Sequence, residues 1–372
     1  MAQKAFLARS DKYYESLGIK KQTEIWEDGL RTDGKEGSYE WWYFDAEYQD
    51  GTKAALIFYA KKFFDVKGPP HPLAKLDISK DGKSITSSSV YGKEGTVISA
   101  DREKCDVKIE NCTAQYQDDG SYIVHFENED KTVVYDGVLK PRLPMWRPGT
   151  GHIYFGDEQE YFFAWFVGVP SGDLSATLTL DGKTQTLVGN GYHDHNWGNI
   201  MMTKLMNHWY WCRVAVEGYT AITCDIIAEK KYGYTRLPIF MLGKDGVIVE
   251  DDERLTEIER SDTIHLPSID KFMDNHLKFT QKTEKATYTV EYFREYDIDA
   301  GSNLKTMGMS NFMMKLAKML GINPTYARSI GEVRLKIEED GKTTNLKAQG
   351  LWEQMGFGKE KTAIIGEKGI SE

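Results

Sequence analysis

The densest group of ionisable and polar side chains lies in Gly191-Tyr192-His193-Asp194-His195-Asn196-Trp197-Gly198. Glycines flank it and allow the sharp turns that bring polar groups to a cavity wall. If the piece is extended, His193 and His195 point one way and Asp194 the other, whereas in a loop all of them could converge. Three chemistries suit these residue types. His193 and His195 could be a pair of metal ligands, with a third from His208, His152 or an acid, but the spacing specifies none. The cluster could equally be a hydrogen-bonded turn that pins two sheets together. The third reading is an acid–base site. A carboxyl in an apolar, aromatic pocket has its charged form disfavoured, so it holds its proton to higher pH and can donate it near neutrality. Histidine suits the same task with little tuning.

A second group stands earlier in the chain. Glu40 and Asp45 bracket the aromatic run Trp41-Trp42-Tyr43-Phe44. Buried acids are expensive unless paired. Each is therefore either a strand-end acid bonded to a neighbour or a second acid or base facing a cavity. Trp41, Trp42, Trp146, Trp165, Trp197, Trp209 and Trp211 are core residues by default. A subset lining a pocket would stabilise a cation through the negative ring face. The sequence has no Gly-x-Ser-x-Gly elbow, no His-Glu-x-x-His and no glycine-rich phosphate loop after a strand.

The elements that must position these residues read as antiparallel strands. Glu40–Asp45 and Ala54–Tyr59 flank Gln49-Asp50-Gly51, a hairpin turn. Leu174, Ala176, Leu178 and Leu180 alternate with polar residues, as one buried strand face does. Asp181-Gly182, Glu217-Gly218, Lys244-Asp245-Gly246 and Asp340-Gly341 each separate two more strand-like runs. No βαβ rhythm appears. Residues 11–18 predict a short helix ending at Gly18, and residues 27–38 read as a loop. From Ser310 to Leu320 the apolar Met309, Phe312, Met313, Leu316 and Leu320 share a helical face, with Gly321 and Pro324 at its end. That helix is read as a plug or cap on a sheet, with a Met-lined lid or a transient membrane-surface contact as alternatives.

The chain has 372 residues, 40 % hydrophobic and 28 % charged, which is a globular composition long enough for two domains. Its net charge of -10 argues against a general nucleic-acid binder. Cys105, Cys112, Cys212 and Cys224 make no zinc pattern, and Cys212 and Cys224 fall in adjacent strand runs. No apolar run is long enough for a transmembrane helix, and Met1-Ala2-Gln3-Lys4 opens no export signal, so a cytoplasmic protein with reduced cysteines is expected.

Taken together, Glu40-Trp41-Trp42-Tyr43-Phe44-Asp45, Gly191 to Gly198, His208-Trp209-Tyr210-Trp211 and the terminal Gly350-Leu351-Trp352-Glu353-Gln354-Met355 resemble the hallmark segments of the AttH-like / carotenoid 1,2-hydratase superfamily. Kievitone hydratase and lipocalin-like Diels–Alderases are among its relatives. The matches spread from about residue 36 to residue 356. The resemblance implies a mainly β chain with two lipocalin-like antiparallel β-barrel domains and a few short helices. The expected division is an N-terminal extension (1–35), a first barrel (36–190) and a second barrel (191–360). It also implies a hydrophobic pocket near the domain junction and no metal, nicotinamide or flavin. Asp194 with His193 or His195 become the proton-donor candidates, and Glu40 a partner that orients the donor. Trp41, Tyr43, Trp197, Tyr192, Asn196, Trp209 and Trp211 become pocket or support residues. The expected function is a cofactor-free hydratase, isomerase or cyclase acting on a hydrophobic polyene or isoprenoid-type small molecule. The alternative is a non-catalytic carrier of a lipid or isoprenoid.

Overall fold

The structure, a computed structural model, describes residues 3–302, 304, 314–315, 323–357 and 368–369. Two units emerge. The first is built from Arg9–His152 and Phe162–Met201, the second from the described parts of Met1–Ala8, Ile153–Tyr161 and Met202–Glu372. Each is a curled antiparallel sheet of the lipocalin-like kind. The strong alternation of apolar and polar residues gives every strand one face for a core.

In the first unit the strands run in the order Lys83–Tyr91, Leu73–Lys80, Thr52–Lys61, Tyr39–Tyr48, Lys183–Gly198, Tyr161–Leu180, Val133–Pro141, Tyr122–Glu127, Cys112–Tyr116, Asp106–Ile109 and Ser99–Ala100. Most neighbours are hairpin partners. At Asp181-Gly182 both turn residues have positive φ, 48° and 79°, which suits a tight hairpin. There are two exceptions: Val133–Pro141 with Tyr161–Leu180, between which His152–Phe155 intervenes in the chain, and the junction of Tyr39–Tyr48 with Lys183–Gly198. The latter junction sets His193 opposite Phe44, His195 opposite Trp42 and Trp197 opposite Glu40. Trp42, Phe44, Leu56, Phe58, Tyr122, Phe126 and Leu178 form part of the core beneath.

Two boundaries differ from expectation. Residues 191–198 continue the sixteen-residue Lys183–Gly198 strand and pair with Tyr39 to Ala46. A division after residue 190 would cut a strand bonded along both edges, so the first unit extends to Met201. Residues 3–35 are not a bare extension either. Ala5–Leu7 is a buried strand paired with Ile153–Phe155. Asp11–Leu17 is the predicted helix, ended by Gly18 at φ 67°. Ile25–Asp28, partly within the expected loop, is a short 3-10 helix.

The second unit orders its strands Val247–Glu250, Arg236–Lys244, Tyr219–Ala228, Met206–Val216, Lys342–Gly356, Thr325–Glu339, Ala286–Ser302, Lys271–Lys282 and Thr256–Leu266. The terminal segment lies beside the His208–Trp211 segment, with Trp352 opposite Cys212. Cys212 pairs with Thr223 and Cys224 with Trp211, so the two thiols lie on opposite faces of the sheet. All four cysteines are buried thiols, not disulfides. Among the described residues no helix is long and apolar enough to cross a membrane. The expected Met-rich helix lies outside the described residues, apart from Met314 and Lys315.

Candidate functional site

The Tyr39–Tyr48 and Lys183–Gly198 pair carries two different polar groups, one on each face. On the core face stand His193, His195, Glu40 and a residue from the 3-10 turn, Asp28. His193 Nδ1 lies 2.9 Å from the carbonyl of Tyr43, and its Nε2 lies 3.0 Å from Asp28 Oδ2. The Tyr122 hydroxyl donates to the same Asp28 oxygen at 2.7 Å. The other oxygen, Oδ1, stands 3.6 Å from His195 Nδ1. His195 Nε2 is 2.8 Å from Glu40 Oε1. Glu40 in turn accepts from the backbone N–H groups of Arg31 and Thr32 and from the Thr32 hydroxyl. Imidazole and carboxylate thus alternate along a buried chain, with the two histidines and Glu40 fully enclosed and Asp28 almost so.

Aromatic rings hold this chain flat. His193 stacks on Phe44 with centroids 4.0 Å apart, and His195 stacks on Trp42 at 4.4 Å. Trp42 also donates through Nε1 to the carbonyl of Asp28 at 2.9 Å. Trp197 tilts against His195 and meets His152 edge-on. Burial lowers the His152 pKa to about 4, so that ring is neutral at pH 7. Gly168 leaves the space this packing needs, since a Cβ there would sit 2.5 Å from His193 Cδ2.

Asp194 faces the other way, as an extended strand requires. Its Oδ2 accepts from Trp165 Nε1 at 2.9 Å and from the Tyr192 hydroxyl at 2.7 Å, and its Oδ1 accepts from Asn196 Nδ2 at 2.7 Å. Burial pushes its carboxyl up to about 7, against the lowering influence of those donors and of His193. Tyr43 leans edge-on against Tyr192, and its hydroxyl reaches Asp45 at 3.5 Å. Trp146 meets Trp165 edge-on. A buried carboxyl whose pKa is pushed up toward neutrality can exchange a proton near pH 7.

The expected residues therefore divide three ways. Asp194, Tyr192, Asn196 and Tyr43 meet on one face. Trp41 belongs to that face by alternation and packs on Tyr39 and Phe63. His193, His195, Glu40 and Trp197 meet on the other. Trp209 and Trp211 belong to the second unit's sheet, on the face opposite Tyr210. Asp28 was missed, because nothing in a charged, glycine-bearing segment marks one acid as the partner of two distant histidines. Trp165 was in the default core set. The spacing Tyr192-x-Asp194 signals a shared face but not the strand that completes it.

Asp28, Cys105 and His193 place one potential ligand atom each within 4.8 Å of one another. Those atoms are engaged already. The Cys105 thiol points to the Ala114 carbonyl, and burial raises its pKa well above the usual thiol range. An apolar cavity lined by Phe44, Ala54, Leu56, Val124, Tyr135 and Leu174 also lies in the first unit, but it is close to water-sized and takes no polyene.

A family model described as Diels-Alderase-like matches residues 35–297. Hydroxyneurosporene dehydrogenase of Chlorobaculum tepidum is 25% identical over 223 residues, covering 51% of this chain and 56% of its own length. The chain thus spans little more than half of that curated relative. Among solved structures, an AttH-like protein of Nitrosomonas europaea superposes with a TM-score of 0.60 at 15% identity, covering 91% of this chain and 98% of its own. Kievitone hydratase of Nectria haematococca gives 0.56 at 12% identity, covering 96% and 98%. CghA gives 0.55 at 12% identity, covering 96% and 99%. These likenesses establish a shared fold.

Proposed function

The chain belongs to the Diels-Alderase-like family, and on that premise we propose that it is an enzyme acting on a hydrophobic, unsaturated small molecule, with Asp194 as its proton donor. The observation that carries this reading is the Asp194 carboxyl, buried, held by Trp165, Tyr192 and Asn196, and titrating at about 7. A hydratase among the fold's relatives supports the same reaction class.

In the proposed reaction the Asp194 proton adds to one alkene carbon. The π bond supplies the electrons of the new C–H bond, and the neighbouring carbon becomes cationic. Aromatic faces stabilise that charge. Tyr192, Trp165 and Asn196 stabilise the carboxylate left behind, because all three donate to it. Water then forms the new C–O bond and returns its proton to Asp194, which is hydration. Alternatively an internal alkene forms a C–C bond and a later C–H loss restores the acid, which is cyclisation. Loss of a different proton moves the double bond, which is isomerisation. A pericyclic variant needs no proton and gains rate by holding a reactive conformer.

The test is incubation with a panel of polyenes and prenyl compounds in heavy-oxygen water, read by mass spectrometry. Label in the product means hydration, and an unlabelled isomer means cyclisation or isomerisation. Ligand that binds and returns unchanged across the panel sinks the enzyme reading in favour of a carrier. For the acid, Asp194→Asn is expected to abolish turnover while leaving ligand affinity within about tenfold. Undiminished turnover in a folded variant overturns that role.

A further inference from the structure

We propose that Asp28 is a positioning residue for Asp194, acting through His193 and His195, the two residues that flank the acid in the chain. The inference rests on the reading of Asp194 as the proton donor. On the core side of the sheet His193 Nε2 is hydrogen-bonded to Asp28 Oδ2 at 3.0 Å, while His195 Nδ1 stands 3.6 Å from Oδ1, beyond hydrogen-bond reach. A single anchor, bonded to one neighbour and standing beside the other, fixes the backbone of Asp194 and aims its side chain at Trp165 and Tyr192.

The anchor itself is firmly seated. Asp28 is 1% exposed. Trp42 holds its carbonyl and Tyr122 its Oδ2. The adjacent Glu27 is locked by Arg147 at 2.7 Å. His195 is tied at its far nitrogen to Glu40, so the clamp has a fixed end on each side.

The clamp also has an electrical consequence. Both nitrogens of His193 stand against acceptors, the Tyr43 carbonyl and Asp28 Oδ2, an arrangement satisfied by a ring carrying two N–H groups. When protonated, that ring lowers the proton affinity of Asp194, its neighbour in the chain, against the effect of burial. The groups facing Asp28 are His193, His195, Tyr122, Cys105, Tyr116 and Arg31. His193 faces Asp28, Tyr122 and Cys105. Those acting on Asp194 are Tyr192, Trp165, Asn196 and His193. In Asp28→Asn the His193 ring loses its carboxylate partner, and its lowering influence on Asp194 is expected to weaken.

The experiment is carbon NMR on the full chain with labelled aspartate carboxyls, the Asp194 signal being identified by its loss in Asp194→Asn. In Asp28→Asn the titration midpoint of Asp194 is expected to rise by about half a pH unit. Asp28→Glu, which keeps an anion, is expected to restore most of it. An unmoved or lowered midpoint in Asp28→Asn overturns the proposal. Should that variant fail to fold, His193→Gln removes the cation directly, and the same upward movement is required of it. These readouts do not depend on turnover. A failure of the proton-donor reading shows instead as activity that ignores the Asp194 titration while the NMR midpoint still moves.

Discussion

At Gly168 the pairing of the Tyr161–Leu180 and Lys183–Gly198 strands shifts register between Val167 and Val169. A Cβ at this position would meet His193 Cδ2 at 2.5 Å, the Tyr122 hydroxyl at 2.7 Å and Asp28 Oδ2 at 3.1 Å. Gly168→Ala is therefore expected to cost about 1–3 kcal/mol and to part Asp28 from His193. A urea midpoint equal to the parent's would refute this. Asp194 makes a second expectation at this scale. Its carboxyl titrates at about 7 in the fold and near the ordinary carboxyl value when unfolded. The folded chain therefore holds an extra proton between those values. The sign follows: the stabilisation is complete at about pH 4 and below, declines as pH rises, and is gone above about 7. The upper bound is about 4 kcal/mol. Thermal midpoints are expected to fall from pH 5 to pH 8 in the parent and to fall less in Asp194→Asn. Parallel curves would show that the carboxyl is not raised.

The short helix Ile25–Asp28 shows how an element serves the site. Glu24 and Glu27 form a reciprocal cap, and the buried Arg147 grips Glu27 at 2.7 Å. Arg147 also donates to the carbonyls of Lys20 and Lys21. Burial raises the Glu27 pKa even with Arg147 beside it. Losing the cation strands a buried acid, which typically costs about 3–5 kcal/mol. Arg147→Met is expected to lose stability on that scale, and calorimetry on the purified variant decides it. Such a clamp was not legible in the sequence. Glu27, Asp28 and Arg147 look like ordinary charges in loop and proline-rich segments, and only the closed sheet makes them neighbours. The hairpins were legible, because alternation and turn glycines are local signals. The split of His193 and His195 from Asp194 follows only once the segment is a strand, a choice between strand and loop that the sequence leaves open. Which strand would lie against them was not legible, because the junction with Tyr39–Tyr48 joins residues 150 apart in sequence.

Across the whole molecule the chain passes between its two units at Ala8/Arg9, His152/Ile153, Tyr161/Phe162 and Met201/Met202. The second unit therefore depends on segments remote from its bulk. Ala5, Phe6 and Leu7 are buried and pair with Phe155, Tyr154 and Ile153. Full burial of a Phe or Leu is worth about 1.5–3 kcal/mol each. Removing residues 3–8 is expected to speed hydrogen exchange at Ile153–Phe155 while leaving exchange at Tyr192–Trp197 unchanged. Equal protection at 153–155 with and without the strand would show that the pairing carries little stability.

That pairing also places a demand on synthesis. Leu7 leaves the ribosome 146 residues before its partner Ile153. At typical translation rates of about 5–20 residues per second, the first strand waits roughly 7–30 s without its partner. For that interval Ala5-Phe6-Leu7 is an unmatched apolar edge, open to chaperones and to neighbouring nascent chains. The first unit gathers most of its strands in the meantime, so biogenesis, more than the finished fold, is where this interleaved chain is most exposed to error.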